Sequence, residues 1–386
     1  MTLTKSSSTP LLGPSLVVGG CSFLGYHLVQ HLLEDNESGV VYVIDREIDR
    51  NKREKATYVR GNITDSELLR SLVARIRPRV IFHVASPVAI LPASREGEFV
   101  ETNVKGTQVL LTVASESESV QALVYTSSVH VYANPPHEDV DESHPLWPTW
   151  DKSNEYNRTK AIADRVVRAA NGPQLRTVCL RPSHAYGKRH IQGMAEVLDL
   201  CAGNQKMVQV GPGDNLMDVV SADNSAIAHL LAAKALLDPS RAAGKVDGEG
   251  FNISDGAPTP FWYHMKIIWK VARGEDAVRN FLIIPAWVMV VAVYLTEWML
   301  WIFTINTVKP PLALRRVVLD YCLYNHTYSI EKARERLLFD PVSDHDAVLA
   351  ESARWMMRER ETAPRKVERK ALCRVEASTK RYARAL

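Results

Sequence analysis

The stretch "VVGGCSFLGYHLV", Val17 to Val29, decides the fold. "SLVVGG" reads as a buried strand, and "FLGYHLVQHLLED" sets Leu24, Leu28 and Leu32 on one helical face. Between them Gly19, Ser22 and Gly25 have the spacing of a loop that ends a strand, cradles a phosphate and opens a helix. In such a loop the first glycine makes the tight turn, the second lets backbone approach a pyrophosphate, and the third lets helix pack on strand. Here a serine holds the second place. It either narrows the site or donates its hydroxyl to a phosphate oxygen, and the helix N-terminus favours the phosphate charge in both cases. Gly19, Ser22, Phe23, Leu24 and Gly25 are therefore candidates for dinucleotide contact.

Support lies about twenty residues on. "GVVYVID" is a second strand ending at Asp45, placed to accept hydrogen bonds from ribose hydroxyls. Its charge repels the extra phosphate of NADP, so NAD is expected, with the neighbouring Arg46 as the one counter-argument. Asn62, after "YVRG", sits where a short amide meets an adenine, with Ile63 next to it. Further along, "TDSELLRSLVARIRP" is a helix opened by Thr64, "RVIFHVAS" a strand and "TNVKGTQVLLTVASE" a helix. "QALVYTSS" is a strand, about Asn154 to Asn171 a helix, and "RTVCLRP" a strand. This alternation implies crossover connections and a doubly wound parallel sheet of the α/β class. From about His190 it weakens. The expected divisions are a disordered tail over 1–13, a dinucleotide-binding domain over 14–190 and a substrate-binding region over 191–280 and 309–357. An apolar segment over 281–308 and a basic tail over 358–386 complete the chain.

Composition agrees with a folded enzyme-sized protein: 386 residues, 46% apolar and 24% charged. The net charge of +3 is concentrated at the end, where residues 358–386 carry ten Lys/Arg against four Asp/Glu. That tail reads as a solvated terminal helix or as a contact for anionic headgroups. Cys21, Cys179, Cys201, Cys322 and Cys373 lack metal-ligand spacing, which fits a reduced, cytosol-facing protein. The N-terminus lacks the apolar core of a signal peptide. "FLIIPAWVMVVAVYLTEWMLWIFTINTV", Phe281 to Val308, has Glu297 as its only charge. About twenty helical residues span a bilayer core, and Trp287, Trp298 and Trp301 suit its interface. Membrane contact is expected, either across the bilayer or within one leaflet; a buried core helix is the competing reading.

The chemistry is carried by "EYNRTKAIADRVV". Tyr156 and Lys160 are four apart, hence on one helical face. A free phenol titrates near 10, but a nearby ammonium favours the phenolate, which then removes a proton from a substrate hydroxyl as hydride leaves the carbon. Upstream, "VYTSSVHVY" ends a strand with Ser127 and Ser128, one of which would orient the substrate oxygen. His83 reads as a satisfied histidine near a strand end, whereas His130 lies near enough to touch substrate. Asn157-Arg158-Thr159 matches a glycosylation sequon inside this motif and is taken as unused. No cluster has metal spacing.

Together, the strand–Gly19-x-x-Ser22-x-x-Gly25 loop, "TNVKGT", "YTSS", Tyr156-x-x-x-Lys160 and "RPSHAYG" resemble the extended short-chain dehydrogenases/reductases (Rossmann fold). "FHVASP", "DGAPTPFW", the apolar segment and "TYSIEKARERLLFDPV" are similar to the 3β-hydroxysteroid dehydrogenase branch, and within it to fungal sterol-4α-carboxylate 3-dehydrogenases (decarboxylating). The resemblance covers about Ser15 to Met357. It implies a catalytic trio of Ser128, Tyr156 and Lys160, Ala85 lining the cofactor and Pro182 backing the nicotinamide. It further implies NAD-linked oxidation of the 3β-hydroxyl of a sterol or triterpenoid, with decarboxylation where C4 bears a carboxylate. A homodimer on the endoplasmic reticulum membrane, facing the cytosol, follows by the same route. Departures are Ser22 for a glycine, Asn62 for an acidic residue and Leu338 for a glycine. Also divergent are "YGKRH" (Tyr186 to His190), more basic than usual, and "DVVSADN" (Asp218 to Asn224). An intact trio with altered margins suggests an active relative with a changed substrate, as in a specialised terpenoid or steroid pathway. Two other readings share the loop: a nucleotide-sugar epimerase or dehydratase, and a non-catalytic dinucleotide-binding scaffold.

Overall fold

The computed structural model of the chain describes residues 10–88, 97–133, 135–201, 207–279, 281–305, 308, 310–311, 314–342 and 344–362. Seven strands form its central sheet: Gly13–Val18 (β1), Ser38–Asp45 (β2), Thr57–Arg60 (β3), Val80–His83 (β4), Ala122–Thr126 (β5), Arg176–Pro182 (β6) and Gly250–Ile253 (β7). Their order is β7-β6-β5-β4-β1-β2-β3, and every neighbouring pair is parallel. The chain winds outward through β2 and β3, then returns to β4 on the other side of β1. That reversal opens a crevice at the carboxyl ends of β1 and β4, where ligands bind in such sheets.

Five helices cover the sheet: Phe23–Glu34 (α1), Ser66–Ile76 (α2), Thr107–Glu116 (α3), Glu155–Ala169 (α4) and Ala222–Leu237 (α5). Side chains alternate along each strand, so Val17, Phe82, Val124 and Val178 pack under α1 and α5. Leu16, Ile81, Leu123 and Cys179 pack under α2, α3 and α4. The sheet is thus buried on both faces, which is why its strands read as continuous apolar runs.

Three local expectations shift. The cap of α2 is Asp65, not Thr64: the Asp65 carboxylate accepts from Leu68 N at 3.0 Å. The helix read from "TNVKGT" begins with a π-helical turn, Val100–Gly106, before α3. Most consequential, the division at residue 190 does not hold. Both α5 and β7 belong to the central layer, so the regions read as dinucleotide-binding and substrate-binding interleave in sequence. Strand β7 pairs with β6 only after a long excursion, and its sequence "GFNI" carries little strand signal. At the other end, Leu12 is fully buried, so the ordered fold starts inside the span read as a tail. Residues 1–9, and most of the basic tail from 363 on, lie outside the described residues.

The excursions build the second region, which closes over the crevice. His184–Tyr186 pairs with Val219–Ser221. Leu216–Met217, Thr259–Pro260, His326–Tyr328 and His137–Val140 make a small sheet. Beyond it stands the helix Ala286–Thr304, the one helix among the described residues long and apolar enough to cross a membrane. Only 6% of its apolar window is buried, which removes the core-helix reading. Its Val293, with Met289 and Val290, packs toward Leu319 and Cys322, while Trp287, Trp298 and Trp301 stand exposed. Glu297, the single charge, pairs with Arg316 at 2.6 Å.

Candidate active site

At the carboxyl end of β1, Gly19 has φ +87, a conformation that suits glycine. A Cβ there would lie 2.6 Å from the backbone of Ala85. The loop and the segment after β4 therefore meet with no room between them, with Ala85 against the turn. Gly25 is equally constrained: a Cβ would fall 2.3 Å from Gly19 O. The serine between them has a different task from the glycine it replaces. Ser22 is the N-cap of α1, with extended backbone (φ −71, ψ 174), and its Oγ accepts from Gly25 N at 3.1 Å. No glycine is needed at such angles. Because that hydroxyl accepts from the helix, its own proton remains available for an anion at the helix N-terminus.

Asp45 closes β2 and holds the loop directly, its Oδ2 accepting from Cys21 N at 3.0 Å. Arg46 is paired with Glu98 at 2.9 Å and Arg60 with Asp49 at 2.8 Å, so neither guanidinium is unengaged for a second phosphate. Asn62 is exposed beyond β3, with its Oδ1 accepting from Thr64 N, which leaves its NH2 to donate. Two of the candidates act through the fold. The Ile63 side chain is buried with Leu69, Leu72 and Leu110, and the half-buried Leu24 packs on the opposite core. Phe23 stacks on His190 at 4.7 Å between ring centroids. These features fit a dinucleotide: a backbone cradle that a side chain would fill, a capped helix N-terminus and a carboxylate at the second strand.

The three catalytic candidates converge one strand over. Asn154 caps α4 through Asn157 N, which places Tyr156 in the first turn and Lys160 one turn on. Tyr156 is hydrogen-bonded to Ser128; burial pushes the phenol up and that bond pulls it down. Lys160 makes no such bond. Its Nζ donates to Thr126 O at 2.8 Å and Tyr125 OH at 3.3 Å, satisfying the carbonyl at the end of β5. Burial lowers the Lys160 ammonium to about 7, and Tyr125 is pushed well up by burial, so the lysine faces a neutral hydroxyl. The direct partner of the phenol is thus the serine, not the lysine.

The two serines are separated by their neighbours. Ser127 Oγ donates to Asp164 Oδ2 at 2.6 Å, and the same carboxylate takes Arg181 Nε at 3.0 Å and Nη2 at 2.8 Å. Burial raises Asp164, but the charge and hydrogen bonds of Arg181 outweigh it and hold the acid low. Arg181 also donates to Tyr132 OH, which donates to Asn252 Oδ1 on β7. This dry ion pair pins Ser127, α4, β6 and β7 together and leaves Ser128 facing the phenol. Asp164 and Arg181 escape sequence reading because a carboxylate one turn after Lys160 and an arginine inside an apolar strand signal nothing until they meet.

His83 is buried, with Nε2 to Thr107 Oγ1 at 2.9 Å, and burial lowers it to about 3. His130 stands beside Tyr156, ring centroids 5.9 Å apart, with Nε2 3.1 Å from Tyr321 OH. Asn157 lies within α4. Among the described residues no group of three or more His, Cys, Asp or Glu is spaced to hold a metal ion.

Residues 16–280 match the 3-beta hydroxysteroid dehydrogenase/isomerase family. Over 355 residues the chain is 30% identical to the sterol-4-alpha-carboxylate 3-dehydrogenase (decarboxylating) of Saccharomyces cerevisiae, covering 88% of this chain and 97% of that protein. The Mus musculus protein of the same name is 27% identical over 337 residues, covering 86% of this chain and 87% of that protein. Among solved structures, UDP-glucose 4-epimerase of Thermotoga maritima superposes with a TM-score of 0.67 at 21% identity, covering 89% of this chain and 99% of that one. The dTDP-glucose 4,6-dehydratase of Bacillus anthracis, in complex with NAD, gives 0.64 at 18%, covering 90% and 98%. At that identity the likeness is one of fold.

Proposed function

The chain belongs to the 3-beta hydroxysteroid dehydrogenase/isomerase family, and on that premise we propose that it oxidises the 3β-hydroxyl of a sterol or triterpenoid bearing a C4 carboxylate, with loss of carbon dioxide. The observation that carries this is the phenol of Tyr156 bonded to Ser128 at the mouth of a dinucleotide crevice. Gly19, Ser22 and Gly25 would hold the pyrophosphate, Asp45 the ribose, Asn62 the adenine, and Ala85 and Pro182 the nicotinamide side. NAD, when bound, supplies the hydride acceptor.

The protein's own part is proton management. Ser128 orients the substrate oxygen, and Tyr156 takes its proton as the C3 hydride departs, so that a hydride and a proton, two electrons and two protons in all, leave as the 3-ketone forms. Lys160, one turn below, adds positive charge that favours the phenolate when protonated. The ketone lies β to the carboxylate. When the C4–carboxyl bond breaks, its electron pair becomes an enolate, and the Tyr156 and Ser128 hydroxyls donate to the oxygen on which charge develops. A proton returned to C4 completes the 3-ketone.

The nucleotide-sugar reading is not favoured, since the likeness to epimerases and dehydratases is of fold alone. NAD over NADP is supported by Asp45 and by the engaged Arg46 and Arg60. A site on the cytosolic face of the endoplasmic reticulum membrane is supported by the exposed apolar helix and by the bilayer solubility of such substrates. Its packed face argues for a helix lying in one leaflet. A homodimer remains part of the reading by family alone. The test is direct: purified protein with NAD and a 4α-carboxy-3β-hydroxysterol is expected to release NADH and carbon dioxide in equal amounts. No NADH from any 3β-hydroxysterol would refute it.

A further inference from the structure

Resting on that dehydrogenase reading, we propose that His184, flanked by Tyr321 and His130, is the part of the pocket that recognises the substrate's carboxylate beside the reacting carbinol. His184 lies two residues past Pro182 on the strand His184–Tyr186, half-buried. No hydrogen bond to its ring nitrogens is found among the described residues. Its ring centroid is 6.2 Å from that of Tyr321 and 6.1 Å from that of His264. Tyr321 in turn is bonded to His130, which packs edge-on against Tyr156. A continuous wall of polar rings therefore runs from the catalytic phenol to an imidazole that has no hydrogen-bond partner among the described residues.

The ring nitrogens of this half-buried imidazole are open to a ligand, and an N–H donated to a carboxylate is among the stronger hydrogen bonds. The wall is electrically neutral. Burial, then the neighbouring His326, His184 and His137, hold His130 at about 3, and burial alone lowers His184. Nearby cations are committed elsewhere: Arg181 to Asp164, and Lys160 to the end of β5. Neutral N–H donors suit an acid that must later lose carbon dioxide. They orient the carboxylate without neutralising it, so its charge is free to move toward the C3 oxygen. A fixed cation would stabilise the ground state and oppose that movement. These residues come from the short turn Val129–Val131 after β5, from the segment after β6 and from near residue 320, so no local motif announces them.

The test compares kcat/KM for a 4α-carboxy-3β-hydroxysterol with that for the same sterol lacking the carboxylate, in wild type, His184→Leu and His184→Asn. The acid-over-neutral ratio is expected to fall at least tenfold in His184→Leu, and less in His184→Asn, which keeps an N–H donor. Fluorescence titration with NADH accompanies each variant. An unchanged ratio overturns the proposal, as does NADH affinity falling by the factor lost in turnover, which would assign His184 to the cofactor. If His184→Leu fails to fold, the ratio in His184→Asn decides. A wild type that oxidises neither sterol refutes the dehydrogenase reading itself; one that oxidises both equally refutes only the carboxylate site.

Discussion

Adjacent residues of like chemistry have been given different work in this site. Ser127 and Ser128 follow the same strand, yet Ser127 is bound into the dry Asp164–Arg181 pair while Ser128 bonds the phenol. Ser127→Ala is therefore expected to cost stability, about 1.5–3 kcal/mol for a lost hydrogen bond to a buried charged group, with turnover per folded molecule largely retained. Ser128→Ala is expected to lose about 100-fold in kcat, in addition to the stability cost of the lost cap on His130 N. Chemical denaturation and steady-state rates on the two variants check the division; equal kinetic losses would contradict it. Lys160 yields a pH prediction. Below about 7 the lysine is charged in both folded and unfolded chains, and the folded state bears the desolvation cost. Between about 7 and its ordinary 10.5 only the unfolded chain holds the proton, so folding stability rises with pH over that window. Melting temperatures of wild type measured against Lys160→Met should show wild type gaining from pH 7 to pH 10. A pH-independent difference would show that the ammonium is not desolvated.

The elements were largely legible because the sheet is buried on both faces. "SLVVGG", "GVVYVID", "RVIFHVAS" and "RTVCLRP" are apolar throughout, and each helix between them has a polar side. What escaped is non-local. β7 is four residues that become a strand only by pairing with β6, and the imidazoles around His184 come together from distant segments. Ser22 illustrates a subtler gap. Spacing marked it as a substitute for glycine, while the backbone shows a position where a helix cap is the natural choice. Leu338 is the opposite case: it ends the helix Glu331–Leu337 with φ 56, a left-handed angle that glycine adopts freely. It is 60% exposed, so little packing would be lost with its side chain. Leu338→Gly is expected to stabilise the protein by about 0.5–1 kcal/mol, the left-handed strain relieved outweighing the added chain entropy. A lowered melting temperature would mean that the leucine is held by contacts worth more than its strain.

On the scale of the whole molecule, a water-insoluble substrate must reach a crevice at the end of a soluble sheet. The apolar helix Ala286–Thr304 stands on the region that closes that crevice, one face packed on the body and its tryptophans outward. Replacing Trp298 and Trp301 by glutamate is expected to abolish co-flotation with phospholipid vesicles while leaving NADH binding intact; unchanged flotation would remove the helix from membrane contact. On the proposed function, all of this serves one chemical event at Tyr156. The decisive measurement is therefore NADH and carbon dioxide release from a 4α-carboxysterol by wild type and by Tyr156→Phe, with NADH affinity determined for both. The account predicts stoichiometric products from wild type, at least a 100-fold slower rate from the phenylalanine variant and the same NADH affinity in each. Undiminished turnover without the phenolic oxygen would contradict it.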